Sequence, residues 1–565
     1  MQLKRARNSL LNISTIIPPE ILAHIFLLNV TPEGEFGGLQ KGSYNFLLVC
    51  HYWYEVASKT SGIWSFWGSN LYQWSRRYQR SGVTAPLDLV LSPYRDVHST
   101  TDAPFDELLR NALQNRVASN SIRSLHLKSR NVDLLLPIVS SLTPVGEEIQ
   151  HSNIESLILN SSRLDISDFI AHYHFPKLQH LHLFAKANNS TWRHLALHTA
   201  ALTSLTLALL PTPQAPRNTH VGSQAQRILQ SFACVPPRGA YPRKRTVGGR
   251  HSTTPTISQL LSILTSNPQL QTLSLTGIPH DNGDGSNSLI PLRRLQRLEL
   301  SGDLPSVFRL LHQLDHPTTM DQIDLNLSGC TEEDISGTVG PYMRDRILHD
   351  GRFQDRLGVL VSTSYCSISI DATIVDDANG PTISRTYRHL PLMFYLTLKE
   401  DIAREEFGSL FVDFVAHLPR EHVILFEGNM DLNATKEIVA MMPNIQELHL
   451  SEAPLCDGFL QPDPTGSLVD TKLLPSLRYL HLGSIHGTTW HTLVPYLIHQ
   501  TSGGQAVSLR IAESSGHICS SVVETIKNLV QEFILEFDYD KRCPFNTCQG
   551  DGEQDDEDDD DVEVL

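Results

Sequence analysis

Nine short segments of the chain share the pattern apolar-x-x-apolar-x-Leu: "IRSLHL", "IESLIL", "LQHLHL", "LTSLTL", "LQTLSL", "LQRLEL", "MDQIDL", "IQELHL" and "LRYLHL". The residue between the last two apolar positions is His126, Ile158, His182, Thr206, Ser274, Glu299, Asp324, His449 or His481 in turn. In a strand, that residue points away from the leucines on either side of it, so strands stacked side by side would line one face with these groups. Imidazole titrates near neutrality, so a ligand on that face would be read in a pH-sensitive way. The competing reading is a face that merely tolerates polar residues, in a chain with 26 histidines. The candidate binding residues on this expected concave face are His126, His182, Glu299, Asp324, His449 and His481.

Catalytic constellations are missing. The sequence has no GxxxxGK[ST] loop for nucleotide phosphates, no HExxH and no GxSxG elbow. "NGDGSNS" is a polar turn without the strand-then-helix setting that phosphate binding requires. The eight cysteines are scattered, with no CxxC pair and no zinc-finger spacing, so free thiols in a reducing compartment are expected. No enzyme, no catalytic residue, no cofactor and no metal is therefore expected.

The segments that would carry the polar row are evenly spaced. Ile154, Leu178 and Leu202 step by 24 residues, and Leu270, Leu295 and Met320 step by 25. Between them lie helix-like stretches such as "TISQLLSILTSN", "LPSVFRLLHQL" and "TTWHTLVPYLIHQT". A strand plus a helix within 20–29 residues is a leucine-rich repeat unit, whose apolar side is buried only by its neighbours. The usual Asn after the last Leu is missing, which predicts an irregular α/β solenoid without the regular turn ladder. Two stretches interrupt the spacing. Thr212–Pro255 includes "PPRGAYPRKRTVGGRHS" and reads as a surface loop, its "PRKR" as a solvated patch or a weak import or phosphate contact. Over 357–399, "LGVLVSTSYCSISIDATIV" and "ISRTYRHLPLMFYLTL" read as two long strands joined by "DDANGP", widening the sheet as a hairpin.

Charge divides the chain as well. The last fifteen residues, "DGEQDDEDDDDVEVL", hold ten carboxylates and no base, so the 550 residues before them carry only −6 of the formal −16. That tail reads as disordered, and as a solubiliser or a lure for a basic partner. No stretch approaches the ~20 apolar residues of a membrane span. The expectation is residence in cytoplasm or nucleus, without a membrane or nucleic-acid partner.

The N-terminus has its own aromatic and aliphatic density. "IIPPEILAHIFLLNV" places two prolines at a helix start, where a missing N–H costs nothing. Ile21, Leu22, Ile25, Phe26 and Leu28 then form a broad apolar face. Phe46, Val49, Cys50, Trp53, Val56 and Ala57 mark a second amphipathic helix. Trp53, Trp64, Trp67 and Trp74 lie within 22 residues. Together "IPPEILAHIF", "LLVCHYWYEVA" and "IW" resemble an F-box, most closely the F-box-like proteins of mushroom-forming fungi. "LYQWSRRYQRSGVTAPLDLVL" resembles the extension that follows in those proteins. Ile17 stands in place of the usual Leu, and the loop between the helices is longer than in animal F-boxes.

The resemblance implies docking on a Skp-type adaptor of a cullin–RING ligase through Pro18, Ile21, Leu22, Ile25, Trp53 and Trp64. The alternative is that these residues only pack the module against the rest of the chain. The expected organisation is a flexible start (1–13), an F-box (14–70), a linker or extension (71–118), an irregular repeat domain (119–540) and an acidic tail (541–565). The expected role is the substrate-recognition subunit of an SCF-type ubiquitin ligase, holding an unknown protein target. The other expectation is a repeat scaffold with no part in ubiquitin ligation.

Overall fold

The computed structural model describes residues 17–30, 45–68, 74–82, 85–91, 107–118, 120–128, 132–142, 150–186, 189–199, 201–208, 255–278, 289–353, 357–364, 367–374, 392–398, 407–460, 474–486, 490–502, 504, 506–515 and 520–536. The expected flexible start, nearly all of the Thr212–Pro255 insertion and the acidic tail lie outside these residues. The chain divides into two compact units, Met1–Pro317 and Thr318–Leu565, a division that falls inside the span read as one repeat domain.

The first unit begins with helix α1 (Pro19–Val30), a 3₁₀ turn (Asn45–Leu48), helix α2 (His51–Lys59) and the short α3 (Ser61–Trp64). The second helix thus starts later than the sequence reading placed it. Phe46 sits in the turn, Val49 is exposed, and Cys50 caps α2 by accepting the Trp53 N–H at 3.5 Å. A capping position uses a polar or weakly polar side chain where a continuing helix would not, and the cysteine was easily read as one more apolar position. Thr60 closes α2, its hydroxyl donating to the Val56 carbonyl at 2.8 Å.

Eight parallel strands follow: β1 (Phe66–Trp67), β2 (Leu87–Leu91), β3 (Ile122–Lys128), β4 (Ser156–Asp165), β5 (His180–Lys186), β6 (Ser204–Ala208), β7 (Thr272–Thr276) and β8 (Arg297–Asp303). Each pairs with the next in chain order. Leu125, Leu157, Leu181, Leu205, Leu273 and Leu298 lie side by side in register, all but sealed from solvent. Covering one such side chain is worth about 1.5–3 kcal/mol, so each strand depends on its neighbour. Helices Glu107–Ala118, Val132–Leu142, Ser167–Ala171, Asn189–His198 and Ile257–Thr265 pack in sequence along the leucine side.

The second unit holds β9 (Gln322–Cys330), β10 (Leu357–Ser364), β11 (Ser367–Ile374), β12 (Leu392–Leu398), β13 (Val423–Asn429), β14 (Glu447–Leu450), β15 (Tyr479–His486), β16 (Ser508–Ser515) and β17 (Glu532–Leu535). Their order is β9–β12–β11–β10–β13–β14–β15–β16–β17. The pairs β10/β11 and β11/β12 are antiparallel and the rest parallel. "LGVLVSTSYCSISIDATIV", read as one long strand, is two, β10 and β11, and the expected "DDANGP" junction lies outside the described residues. Ser364 pairs with Ser367, and the two strands run antiparallel. The apolar alternation changes phase, from Leu357, Val359 and Val361 to Ile368, Ile370 and Ile374, but Tyr365-Cys366 is not one of the Asn-Gly or Gly-containing pairs that announce a two-residue turn. Helices Phe407–Ala416, Leu432–Ala440, Ala453–Leu460, Trp490–Thr501 and Ser520–Leu529 line up along this sheet.

Strand entry is regular in both units despite the missing asparagines. The tetrapeptides "FPKL", "NPQL", "MPNI" and "LPSL" each form a turn in which the fourth residue's N–H bonds the first residue's carbonyl: Leu178 to Phe175, Leu270 to Asn267, Ile445 to Met442 and Leu477 to Leu474. Proline presets φ for the second position of such a turn. One carbonyl then accepts two N–H groups from the next unit, as Gln179 does from Thr203 and Ser204, and Gln446 from Arg478 and Tyr479. The backbone supplies the ladder that asparagine side chains would otherwise build.

A buried asparagine also ties together two successive strand–helix segments of the first unit. The Asn267 amide is fully buried, accepting from the Leu202 N–H at 3.1 Å and donating to the Ile263 carbonyl at 2.7 Å. Asn267→Ala strands both groups in the interior and is expected to cost about 1–3 kcal/mol. Thermal melts would read this as a lowered midpoint; an unchanged midpoint would show that the bridge contributes nothing.

Candidate interaction surfaces

The N-terminal helices enclose a small core of Leu22, Phe26, Val30, Phe46, Val56, Ala57, Ile63 and Trp64. Phe26 and Phe46 stack at 4.3 Å between ring centres, and the Trp64 indole N–H donates to the Ala57 carbonyl at 2.9 Å. The Arg80 guanidinium lies 4.3 Å over the outer side of the Trp64 ring. This interior divides the residues expected to dock. Leu22 is 1 % exposed and Trp64 7 %, so both belong to the core, while Trp53 is half-buried against Phe26. Pro18, Ile21 and Ile25 lie on the surface.

A helix with apolar residues at i, i+1, i+4, i+5 and i+7 offers two adjacent stripes. Leu22, Phe26 and Val30 turn inward; Ile21, Ile25 and Leu28 turn out, with Ile21 55 % and Leu28 65 % exposed. Leu48, at 84 % exposure, and Val49 add to the exposed aliphatic set. Periodicity alone does not say which stripe goes inside, and Leu48 escaped notice because it lies in a turn rather than on a periodic helix.

In the first unit the expected polar row is continuous. His126, Ile158, His182, Thr206, Ser274 and Glu299 are each paired with the next across adjacent strands. Ser274 donates to Glu299 Oε2 at 2.7 Å, and His126 Nε2 lies 2.7 Å from the Ser156 hydroxyl. Beside the row, Arg123 grips the buried Asp88 carboxylate through Nε at 3.0 Å and Nη2 at 2.5 Å. Burial pushes His126 down from the ordinary 6.5 to about 4; His180 and His182 add to the effect and Asp88 opposes it. His182 is lowered too, by burial first and then by Lys128.

In the second unit Glu427, His449, His481 and Arg510 share one row across β13 to β16. Asp324 stands apart from them, because β12, β11 and β10 come between its strand and β13. His449 Nδ1 lies 3.6 Å from Glu427 Oε2, and its ring meets those of His481 and Tyr479 edge-on at 5.1 and 5.6 Å. Arg510 pairs with Glu536 and hydrogen-bonds Tyr479. Burial, reinforced by His449 and Arg510 and opposed by Glu427 and Glu536, brings His481 to about 4.

Sequence reasoning missed Glu427, Tyr479, Arg510 and Glu536. Glu427 and Arg510 lie on strands that break the pattern, with Gly428 and Ile511 where the final Leu was required; Tyr479 lies in "LRYLHL" itself, two residues before His481, and Glu536 one residue past β17. Pairing in threes, apolar-x-apolar-x-apolar, would have found "LRI". Since His126 and His481 titrate near 4, neither changes charge around neutral pH, and the expected neutral-pH reading does not come from them.

Among the described residues, no group of three or more His, Cys, Asp or Glu side chains is placed to hold a metal ion. No described helix is long and apolar enough to cross a membrane. Among these residues Cys50, Cys330 and Cys456 form no disulfide. A scan against models of protein families finds none that matches the chain, and a search of curated proteins finds no match either.

The lowered imidazoles fix the sign of a pH effect. Below about 6.5 the unfolded chain takes up a proton that folded His481 refuses until about 4. Its contribution to stability is complete above 6.5 and is lost progressively as pH falls toward 4. Melting midpoints of wild type and His481→Gln are therefore expected to diverge in their pH slope only below 6.5, the wild type falling faster. Parallel slopes from pH 7 to 4.5 would contradict this.

Proposed function

We propose that the chain is the target-holding subunit of an SCF-type ubiquitin ligase. Its N-terminal module would dock on a Skp-type adaptor, and its strand–helix body, read as an irregular leucine-rich-repeat solenoid, would hold a protein target. The observation that carries this reading is the aliphatic stripe of Ile21, Ile25 and Leu28, exposed on a module whose buried core is formed by other residues, with Leu48 and Val49 exposed as well. An exposed aliphatic stripe along one helix face is the kind of surface that supports an interaction site. The F-box-like sequence around it gives the class of partner. Catalysis would then be proximity: the body brings a bound target to ubiquitin chemistry carried by other subunits. The parallel pairing of one strand–helix unit on the next supports the repeat reading.

The test is binding of the purified full chain to a Skp-type adaptor, with Ile25→Glu/Leu28→Glu as the docking variant. Placing two carboxylates where aliphatic anchors are expected should weaken binding about 100-fold. Circular dichroism should be unchanged, because both positions face outward. Leu22→Ala, by contrast, opens a cavity of about 2–5 kcal/mol in the module's interior and would confuse unfolding with lost contact. If well-folded wild type does not bind the adaptor, the chain is a repeat scaffold without a ligase role.

A further inference from the structure

We propose that the polar face of β13 to β17 is a docking surface for an arginine- or lysine-rich segment of a partner protein. This gives a ligand class to the target-holding role proposed above, and it does not require adaptor docking.

Two neighbouring rows make up the face. One is Glu427, His449, His481 and Arg510; the other, two residues earlier on each strand, is Glu447, Tyr479, Ser508 and Glu532. The leucines between them, Leu448, Leu480 and Leu509, point the other way and are buried. Each row places side chains about 4.8 Å apart, which offers a linear run of contacts suited to a chain segment rather than to a single ion. The absence of any metal-holding group among the described residues agrees with that.

Charge decides the class of ligand. Among the described residues, β13 to β17 carry the carboxylates Glu427, Glu447, Glu513 and Glu532 against one guanidinium, Arg510; just outside the strands stand Glu536, which pairs with Arg510, and Arg478. An acidic segment would meet repulsion, whereas a cationic one is complementary. One buried atom points the same way: Glu532 Oε2 has no hydrogen-bond partner among the described residues. Folded proteins seldom leave such atoms unfilled, and a carboxylate oxygen can be filled only by a donor. Guanidinium and ammonium groups are the side chains richest in donors. The Tyr479 and His449 rings add aromatic surface over which a guanidinium can rest. His481 remains neutral at physiological pH, so it adds no positive charge to oppose a cation.

The test uses the full chain and two fluorescein-labelled probes, an (Arg-Ser)₅ peptide and a matched (Glu-Ser)₅ peptide, in fluorescence anisotropy. The Arg-Ser peptide is expected to bind and the Glu-Ser peptide not to. Glu427→Gln/Glu447→Gln/Glu532→Gln should weaken Arg-Ser binding about tenfold, and added salt should weaken it further. Arg510→Gln removes the competing cation and should strengthen binding, so one variant weakens and the other tightens even if the triple variant is less stable. A photo-reactive version of the Arg-Ser peptide should cross-link within 423–536. Cross-links confined to the acidic stretch 551–565, an unchanged affinity in the triple variant, or preference for the Glu-Ser peptide would each overturn the proposal. Adaptor binding is measured separately, so loss of either activity leaves the other interpretable.

Discussion

A single parallel strand carrying one helix has nowhere to put its leucines. Residues such as Leu181 and Leu205 leave water only because the next unit lies against them, and that unit needs the following one in turn. The stabilisation is therefore nearest-neighbour and lateral. Everything else in each body follows from keeping the units in step: the proline turns, the carbonyls that accept two N–H groups, and the Asn267 bridge. With the leucines committed to one side, the alternate positions are released from packing on the other. That freedom is what allows histidines, carboxylates and hydroxyls to accumulate in rows.

The N-terminal helices solve the opposite problem. Here a few residues must build an interior without a sheet to lean on, and they do so with aromatic rings and one well-placed indole N–H. Because α1 is apolar on two adjoining stripes, one stripe satisfies the module and the other remains on the surface. Substitutions one residue apart, at Ile21 and Leu22, would therefore report on different things: surface contact in the first case and integrity of the fold in the second.

Much of this was legible in the sequence, for physical reasons. Leucine pairs at fixed spacing announce strands that are buried on one side, so the row from His126 to Glu299 followed from alternation alone. What was not legible depended on information that periodicity does not carry. The choice between the Leu22 and Ile21 stripes depends on what Phe46 and Val56 do, far away in sequence. The Cys50 cap reads as apolar. The reversal after Ser364 lacks turn residues, and it is this inserted hairpin that separates Asp324 from the histidine pair. The acidic and cationic neighbours of His481 were hidden because Gly428 and Ile511 interrupt the motif that would have revealed them. Burial, which no pattern records, then moved His126 and His481 out of the range where imidazole usually responds.

The pairing of β6 with β7 has a consequence of another kind. Leu205 and Leu273 lie side by side although residues 209–271 separate their strands in sequence. Closing a connection of twice the length costs only about 0.6 kcal/mol more, so the leucine ladder is nearly indifferent to what is spliced between those strands. The junction acts as a graft site, where a lineage can exchange whole segments without redesigning the body beneath. A laboratory could use the same junction to house an epitope or a reporter, with Asn267 holding the seam closed.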